Sequence, residues 1–448
     1  MNILVYLIGI ITGNKSHLWK LSINRYSSRA YKLFDNSIID CMLSFFAFPL
    51  FWLLIIPTTL RFKNNTRGSK VKIIFQASNK VIYSRFFSKL TANINKKNYL
   101  VIGDNLDLPN IKNDFQLIQA IYLFTLFILI WPIVLIFSII NKVNLFRSIM
   151  RTFFIYYRNL NYFNDHPCDI FFTYQDNSCS SALYLALRKS GGKKIIAFQN
   201  GIRNTHPGID GCYFDHLFAI NQASVDLYKN NGSVINNYDI IGSLVIYCNP
   251  ELLEVKPQTL DLLFIDQGFP DKNLEKFMLL DTFNLDDLTR YVNDIKRLSK
   301  KFPKLNIGYQ LRPYPKNLNS IVKNTYKFFN DTNVKVFEKK KDLDSYCKMQ
   351  ESKIIVTIDS TMGLEALSLG KVTLFTNHSS KEKFSILKNS SKLQLNCNNY
   401  KAFEEGILSA VSGSLNNEVE KNTYYAPLIS RIVANDIPNS RLKEYIME

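Results

Sequence analysis

The residues best suited to chemistry lie between two apolar runs near the C-terminal end of the chain. Asp359, Ser360 and Thr361 follow the apolar run 354–358, and Glu365 lies about one helical turn further on. Asp, Ser and Thr are preferred at helix starts, where free backbone N–H groups attract phosphate and other anions. A carboxylate one turn into the helix faces the same side and can accept hydrogen bonds from two vicinal hydroxyls, such as those of a ribose. This spacing therefore predicts a site for an anion and a diol.

The pattern around these residues predicts a strand–loop–helix–strand unit. Residues 354–358 are β-branched and apolar, as in a buried parallel strand. Residues 362–369 have helical spacing, Gly370 ends the helix, and residues 372–375 form the next strand. We expect the polar residues at the carboxyl edge of a parallel sheet, where ligands bind. The alternative is a plain βαβ unit whose polar residues only cap a helix.

Two further strand ends carry residues of the same kind. Arg312-Pro313 follows the predicted strand 306–311, and a guanidinium there can pair bidentately with phosphate oxygens. Gln267-Gly268 forms a turn after the predicted strand 261–265. For Arg312, the alternative is a surface arginine before a turn.

This set resembles the nucleotide-sugar site of GT-B-fold glycosyltransferases, in particular the bacterial surface-polysaccharide group of capsule Kdo transferases, polysialyltransferases and CDP-glycerol glycerophosphotransferases. The motifs that carry the resemblance are Asp359-Ser360-Thr361, Glu365-Ala366-Leu367 and Leu369-Gly370-Lys371. It implies a nucleotide-binding set of six residues, Gln267, Gly268, Arg312, Ser360, Thr361 and Glu365. Arg312 stands where this group usually has a histidine before proline. The change preserves phosphate binding and puts an imidazole-specific role in doubt.

Candidates for a catalytic base lie in the first half of the chain. Gln199-Asn200-Gly201 resembles the Gln-His-Gly turn of the same group, with Asn200 in place of the histidine. The base must therefore lie elsewhere, or the turn only shapes the site. An inverting transfer needs a base to deprotonate the acceptor hydroxyl. We favour Asp176, at a predicted strand end, followed by His206 and Asp210 in the polar loop after the turn. For each of them the alternative is a capping or loop role.

Strand–helix alternation predicts an α/β chain of two Rossmann-like, doubly wound domains, the GT-B arrangement. Residues 61–249 form the N-terminal acceptor domain, and residues 258–424 form the C-terminal nucleotide-sugar domain. The short segment between them has a proline at each end, as linkers often do. The GT-B resemblance implies that residues 425–448 form a helix that crosses back to the first domain.

Two apolar segments predict membrane-associated hydrophobic helices. Residues 1–60 form a hydrophobic N-terminal segment, and residues 115–141 are an uncharged insertion in the first domain. If both segments spanned a bilayer, the many basic residues of 61–114 would lie on the far side, against the positive-inside rule. We therefore expect insertion in the membrane plane or re-entry, with the soluble parts cytoplasmic. The alternative is a buried core helix.

Charge and cysteine usage narrow the compartment and the partners. The net charge is +18, and the chain has no nucleic-acid-binding motif, which favours anionic sugar nucleotides and an anionic membrane surface over nucleic acid. Seven scattered cysteines without a C-x-x-C pair indicate a reducing compartment. We expect the cytoplasmic face of a bacterial inner membrane.

No cofactor or metal is predicted. Asp342-Leu343-Asp344 has the spacing of a metal-binding Asp-x-Asp triplet, but it precedes a helix-like stretch and is interpreted as capping. The GT-B resemblance implies metal independence. The chain has no Gly-x-Gly-x-x-Gly or Walker pattern, which argues against dehydrogenases and P-loop enzymes.

The sequence therefore predicts a membrane-associated glycosyltransferase of surface polysaccharide (capsule or lipopolysaccharide) synthesis. It would transfer a sugar from a nucleotide sugar, first of all a CMP-linked acidic sugar, to a lipid-linked glycan. One alternative is a polyol-phosphate transferase of the CDP-glycerol type. The other is a non-catalytic scaffold of a polysaccharide assembly complex, since Asn200 and Arg312 both replace histidines.

Overall fold

A computed structural model gives the fold. It describes residues 70–76, 91, 94–102, 132–136, 138–139, 145–201, 211–243, 245–246, 249–254, 256–270, 285–314, 319–339, 343–378, 387, 391–422 and 444–445. The N-terminal segment 1–60 that was predicted to be membrane-associated lies outside these residues, as does most of the insertion 115–141.

The first domain is built on a parallel sheet of six strands in the order β2-β1-β3-β4-β5-β6. Its strands are β1 (Val71–Gln76), β2 (Tyr99–Ile102), β3 (Cys168–Thr173), β4 (Lys194–Phe198), β5 (Tyr213–Ala219) and β6 (Val234–Ile240). Every residue of β3 is buried, as expected for a central strand covered on both faces. The strand order reverses between β1 and β3, so this is the topological switch point of the sheet.

Helices cover the first sheet and complete its core. They are α1 (Leu145–Asp165), α2 (Ser181–Lys189) and α3 (Gln222–Asn230). The α2 helix begins at Ser180, whose side-chain oxygen accepts a hydrogen bond from Leu183 N at 3.2 Å. Apolar residues of α1 and α2 pack together with those of the sheet in one buried cluster. These caps and contacts fix the ends of the strands, from which the turns at the edge of the first sheet begin.

The second domain repeats this plan with strand order β12-β11-β10-β7-β8-β9, all parallel. Its strands are β7 (Leu260–Ile265), β8 (Ile307–Gln310), β9 (Val334–Phe337), β10 (Ser352–Thr357), β11 (Val372–Asn377) and β12 (Gln394–Asn396). Its helices are α4 (Leu285–Lys301), α5 (Asn319–Phe329), α6 (Asp344–Gln350), α7 (Thr361–Ser368), α8 (Tyr400–Val411) and α9 (Asn416–Lys421). Here the strand order reverses between β7 and β10, which makes their carboxyl ends the expected ligand crevice.

The two parallel sheets confirm the prediction of an α/β chain with two Rossmann-like domains. Within the part of the chain that the structure describes, no helix has the length and apolar character needed to cross a bilayer. Near the C-terminus, the Tyr445 hydroxyl lies 2.8 Å from His216 Nδ1, and Lys194 Nζ lies 3.9 Å from the Tyr445 ring centroid. Tyr445 therefore contacts the first domain. Residues 425–443, most of the predicted crossing helix, lie outside the described residues.

Candidate functional site

The carboxyl ends of three neighbouring strands, β10, β7 and β8, bring most of the predicted nucleotide-binding residues together. Gln267, after β7, donates from Nε2 to Thr357 Oγ1 at the end of β10, at 3.1 Å. Arg312, after β8, donates from Nη1 to the Gln267 carbonyl at 3.2 Å. Ser360 and Thr361 follow β10 at the same edge. The structure thus places these side chains around one crevice, and their contact with a nucleotide stays a prediction.

The start of α7 is held tightly against the end of β10. Ser360 caps the helix by accepting a hydrogen bond from Met362 N at 3.3 Å. A Cβ atom on Gly363 would lie 2.7 Å from Thr357 Cγ2, so only glycine allows the helix to pack this close to the strand. Ser360 and Thr361 remain partly exposed. The helix start therefore offers backbone N–H groups and hydroxyls to an anion in the crevice.

A buried aspartate that sequence reasoning missed organises the turns of this edge. Asp266, 3% exposed, accepts hydrogen bonds at Oδ1 from Gly268 N and the Tyr309 hydroxyl, both at 2.8 Å. Its Oδ2 accepts from the Tyr314 hydroxyl at 2.6 Å and from Arg312 N at 3.3 Å. A buried carboxylate is stable only when its oxygens are satisfied, so this set of donors fixes the turns after β7 and β8 together.

The two tyrosines around Asp266 are held in the donor form. Burial, together with the Asp266 charge, raises the pKa of Tyr309 and of Tyr314 well above the ordinary value. One signal in the sequence points to Asp266, because it stands directly after an apolar run and before Gln267-Gly268, as Asp359 stands before Ser360-Thr361. Its tyrosine partners lie over 40 residues away and have no signal of this kind.

The exposed charge at this edge belongs to Arg312. Its guanidinium is near Asp359, whose pKa is raised to about 6 by burial, while the arginine acts to lower it. Guanidinium and helix start together make a polar, positively biased crevice. This arrangement offers one guanidinium and the N–H groups of a helix start to a phosphate group.

Glu365 lies deeper than its sequence position suggested. It is 1% exposed, and its carboxylate accepts hydrogen bonds from the Ser243 hydroxyl at Oε1 and from the Tyr346 hydroxyl at Oε2, the latter at 2.7 Å. Burial raises the pKa of Glu365 to about 7, although both hydroxyls act to lower it. Ser243 follows the last strand of the first sheet, so this hydrogen bond joins the two domains. Ribose binding by Glu365 stays a prediction, and it would require exchange of these hydrogen bonds.

At the carboxyl edge of the first sheet, the predicted catalytic base is buried. Asp176, predicted as the base, is fully buried and accepts a hydrogen bond at Oδ2 from the Tyr228 hydroxyl at 2.6 Å. Its Oδ1 accepts from the backbone N of Asn200 at 3.4 Å. A catalytic role for Asp176 stays a prediction that requires the carboxylate to become accessible. The other two candidates, His206 and Asp210, lie outside the described residues.

The Gln199-Asn200-Gly201 turn is held by its glutamine. Gln199 Nε2 donates to the Gly201 carbonyl at 2.9 Å and to Ser224 Oγ at 2.8 Å. Its Oε1 accepts from Ile220 N at 2.9 Å. These hydrogen bonds fit the alternative in which the turn shapes the site.

Among the residues that the structure describes, no three His, Cys, Asp or Glu side chains are grouped closely enough to hold a metal ion. Asp342, the first residue of the Asp-x-Asp triplet, lies outside them.

Comparison with known proteins extends this picture. A family model described as a putative O-antigen biosynthesis protein matches residues 196–393. No curated protein matches the sequence. Among solved structures, the complex of S. aureus MnaA with UDP is similar with a TM-score of 0.52 and 12% identity, over 84% of this chain and 98% of MnaA.

Two other solved structures show lower similarity. The Methanocaldococcus jannaschii UDP-GlcNAc 2-epimerase in complex with UDP-GlcNAc and UDP has a TM-score of 0.49 and 14% identity, over 84% of this chain and 99% of its own. The wall teichoic acid polymerase TagF has a TM-score of 0.43 and 10% identity, over 92% and 98%. The two doubly wound domains and the similarity to MnaA over nearly its whole length show that the chain has the GT-B fold.

Proposed function

We propose that this protein is a GT-B glycosyltransferase of surface-polysaccharide synthesis that uses a nucleotide-sugar donor. The observation that carries the proposal is the carboxyl edge of the second sheet, where Arg312, Gln267 and the start of α7 meet around turns held by Asp266. The family model for a putative O-antigen biosynthesis protein covers much of this domain and supports the polysaccharide assignment.

In this proposal the second domain binds the donor through its phosphates. Arg312 pairs with the diphosphate or monophosphate oxygens, and the N–H groups and hydroxyls of Ser360 and Thr361 bind the same anion. Gln267 and Gly268 line the crevice beside them. Glu365 binds the ribose hydroxyls once Ser243 and Tyr346 release it. The nucleotide is a good leaving group because these positive and dipolar groups stabilise the charge that develops on it.

The acceptor, a lipid-linked glycan, approaches the carboxyl edge of the first sheet. Asp176, His206 and Asp210 are the candidates for the base that deprotonates its hydroxyl. A CMP-linked acidic sugar remains the first donor to test, because the basic protein suits an acidic substrate. UDP is the second, because the MnaA structure of the same fold was solved with UDP.

Nucleotide binding to the purified full-length protein tests the donor site. Calorimetric titration with CMP, CDP, UDP, GDP and their sugars should reveal one preferred class. Arg312→Gln should weaken that affinity by about tenfold or more, since a charge-assisted hydrogen bond is worth ~1.5–3 kcal/mol. Lys304→Gln is the matched control, because Lys304 is exposed near the opposite edge of the same sheet. It removes the same charge and should leave the affinity unchanged.

The outcomes separate the candidate functions. Release of nucleotide only when a glycan acceptor is present supports the transferase. A change in the sugar of the nucleotide without any acceptor would instead indicate an epimerase, and preference for CDP-glycerol would indicate a polyol-phosphate transferase. If no nucleotide binds to the intact protein, the scaffold alternative replaces the proposal.

A further inference from the structure

The segment before α1 carries an exposed apolar face. Residues 132–136 and 138–139 are helical, and Ile133, Ile136 and Ile139 are 40%, 56% and 44% exposed. At about 100° per residue, these three side chains lie along one side of the helix. Together they form the isoleucine face. Of the seven large hydrophobic side chains that are exposed among the described residues, three belong to this single short segment. Such clustering marks an interaction surface.

The opposite side of the same segment is anchored in the first domain. Val134 and Ser138 are fully buried, and Val134 belongs to the core cluster that contains Leu145 and Phe146 of α1. Ser138 Oγ donates to the Val134 carbonyl at 2.8 Å and accepts from Leu145 N at 3.2 Å. Because these contacts fix the rotation of the helix, the isoleucine face points away from the protein core.

The isoleucine face lies toward the acceptor edge of the first domain. Only residues 166 and 167 separate α1 from β3, so the C-terminal end of α1 is at the amino edge of the sheet. The 21 residues of α1 span about 31 Å, whereas six residues of β3 span about 20 Å. The first turn of α1, against which the anchored segment packs, therefore lies toward the carboxyl edge, where the Asp176 turn is found.

The charges that follow this face along the chain favour an anionic lipid surface as its partner. Residues 115–141 contain no charged residue, and residues 115–164 contain no acidic one. The charged residues in this stretch are Lys142, Arg147, Arg151 and Arg158. Apolar side chains that enter the acyl boundary and basic residues that meet anionic headgroups are the two components of interfacial membrane binding. Protein–protein interfaces instead typically surround their apolar core with a polar rim.

We infer that the isoleucine face rests in the interfacial layer of an anionic bilayer and thereby holds the acceptor edge of the first domain at the membrane surface. The side chains enter the outer part of the acyl layer while the helix backbone stays anchored to the domain. The inference concerns membrane contact and is independent of which donor, or whether any donor, is bound.

Vesicle flotation of the full-length protein tests the inference. Vesicles of phosphatidylcholine with phosphatidylglycerol should bind the protein more tightly than vesicles of phosphatidylcholine alone. The combined variant Ile133→Ser, Ile136→Ser and Ile139→Ser should lower the partition coefficient by about tenfold or more, because three apolar side chains no longer leave water. The matched control combines Tyr326→Ser and Val411→Ser in the second domain, at positions 43% and 39% exposed. It should bind as the unaltered protein does.

A depth measurement separates this face from any other membrane contact of the chain. Ile136→Cys and Tyr326→Cys are each labelled with the polarity-sensitive dye NBD, and the unsubstituted protein treated alike gives the background from native cysteines. With anionic vesicles, emission at position 136 should shift to the blue and at position 326 should not. The inference is overturned if the protein does not bind the vesicles, or if position 136 stays in water while the protein is bound. It is equally overturned if position 136 becomes buried without lipid as the protein dimerises.

Discussion

The two sheets end in turns that share a framework and differ in what they expose. Each sheet has a buried aspartate shortly after a strand, Asp176 after β3 and Asp266 after β7. Each carboxylate accepts hydrogen bonds from a tyrosine hydroxyl and from the backbone N–H of a neighbouring turn. Because a buried carboxylate is costly unless it is well hydrogen-bonded, each of them orders the backbone around it.

The difference lies in the residue that the aspartate positions. Asp266 holds the backbone of Arg312, whose exposed guanidinium lies beside the start of α7. Asp176 holds the backbone of Asn200, which carries no charge. The carboxyl edge of the second sheet is therefore suited to an anionic ligand, whereas the Asn200 turn at the edge of the first sheet adds no charge. This contrast fits the proposed division of the protein into a donor domain and an acceptor domain.

Exchanging each aspartate for asparagine tests the contrast most strongly. Asp266→Asn should weaken nucleotide affinity by about tenfold or more, since the turn and Arg312 lose the carboxylate that orients them. Asp176→Asn should leave that affinity within about twofold of the native value, because it acts in the other domain. Both affinities are measured by calorimetry. Equal losses in the two variants would show that the edges do not work separately.

Glu365 lies where the two domains meet through Ser243. Burial raises its pKa from 4.5 to about 7 in the folded protein. The folded state therefore holds this proton more tightly than the unfolded state. The resulting stability is complete below pH 4.5 and is lost as pH rises through about 7.

Glu365→Gln cannot ionise, so it removes this dependence. Between pH 4.5 and 7 the native protein should lose stability relative to the variant, by on the order of 3 kcal/mol in total. Urea unfolding of both proteins at several pH values measures the difference. A difference that stays constant from pH 4 to 8 would contradict a raised pKa at this position.

Ser243→Ala should have the smallest effect. It removes the hydroxyl that donates to Glu365 across the domains, which should cost about 1–2 kcal/mol above pH 7, where the carboxyl is ionised, and less in acid. Ser412→Ala is the control, since the Ser412 hydroxyl is exposed and donates to the Ser409 carbonyl at 3.0 Å. That change should stay within about 0.5 kcal/mol. If the two variants lose equal stability at every pH, the contact between the domains is not specific.

Local sequence signals predicted much of the second domain. The strand predicted at 354–358 is β10 at Ser352–Thr357, and the helix predicted at 362–369 is α7 at Thr361–Ser368. The apolar β-branched run, the Ser360 cap and the Gly370 stop are all properties of neighbouring residues. They can therefore be recognised without knowledge of any long-range contact.

The burial of Glu365 and the role of Asp266 could not be predicted in this way. Helical spacing showed that Glu365 follows Ser360 by about a turn, but its exposure depends on the packing of Ser243 and Tyr346 against it. Likewise, three of the donors to Asp266, on Tyr309, Arg312 and Tyr314, come from another strand and the turn after it. Hydrophobic periodicity depends on the residues of one helix or strand, whereas the burial of a side chain depends on how several elements pack together.

Local sequence was enough to locate the ends of the strands and the polar residues that follow them. Which strand ends become neighbours depends on the pairing of strands across the whole sheet. Gln267 contacts Thr357, 90 residues later, because β10 pairs with one side of β7, whereas β8 and β9 lie on the other side of β7. That strand order follows from hydrogen-bond pairing and right-handed crossovers across the whole sheet. It assembles a crevice from turns that are far apart along the chain.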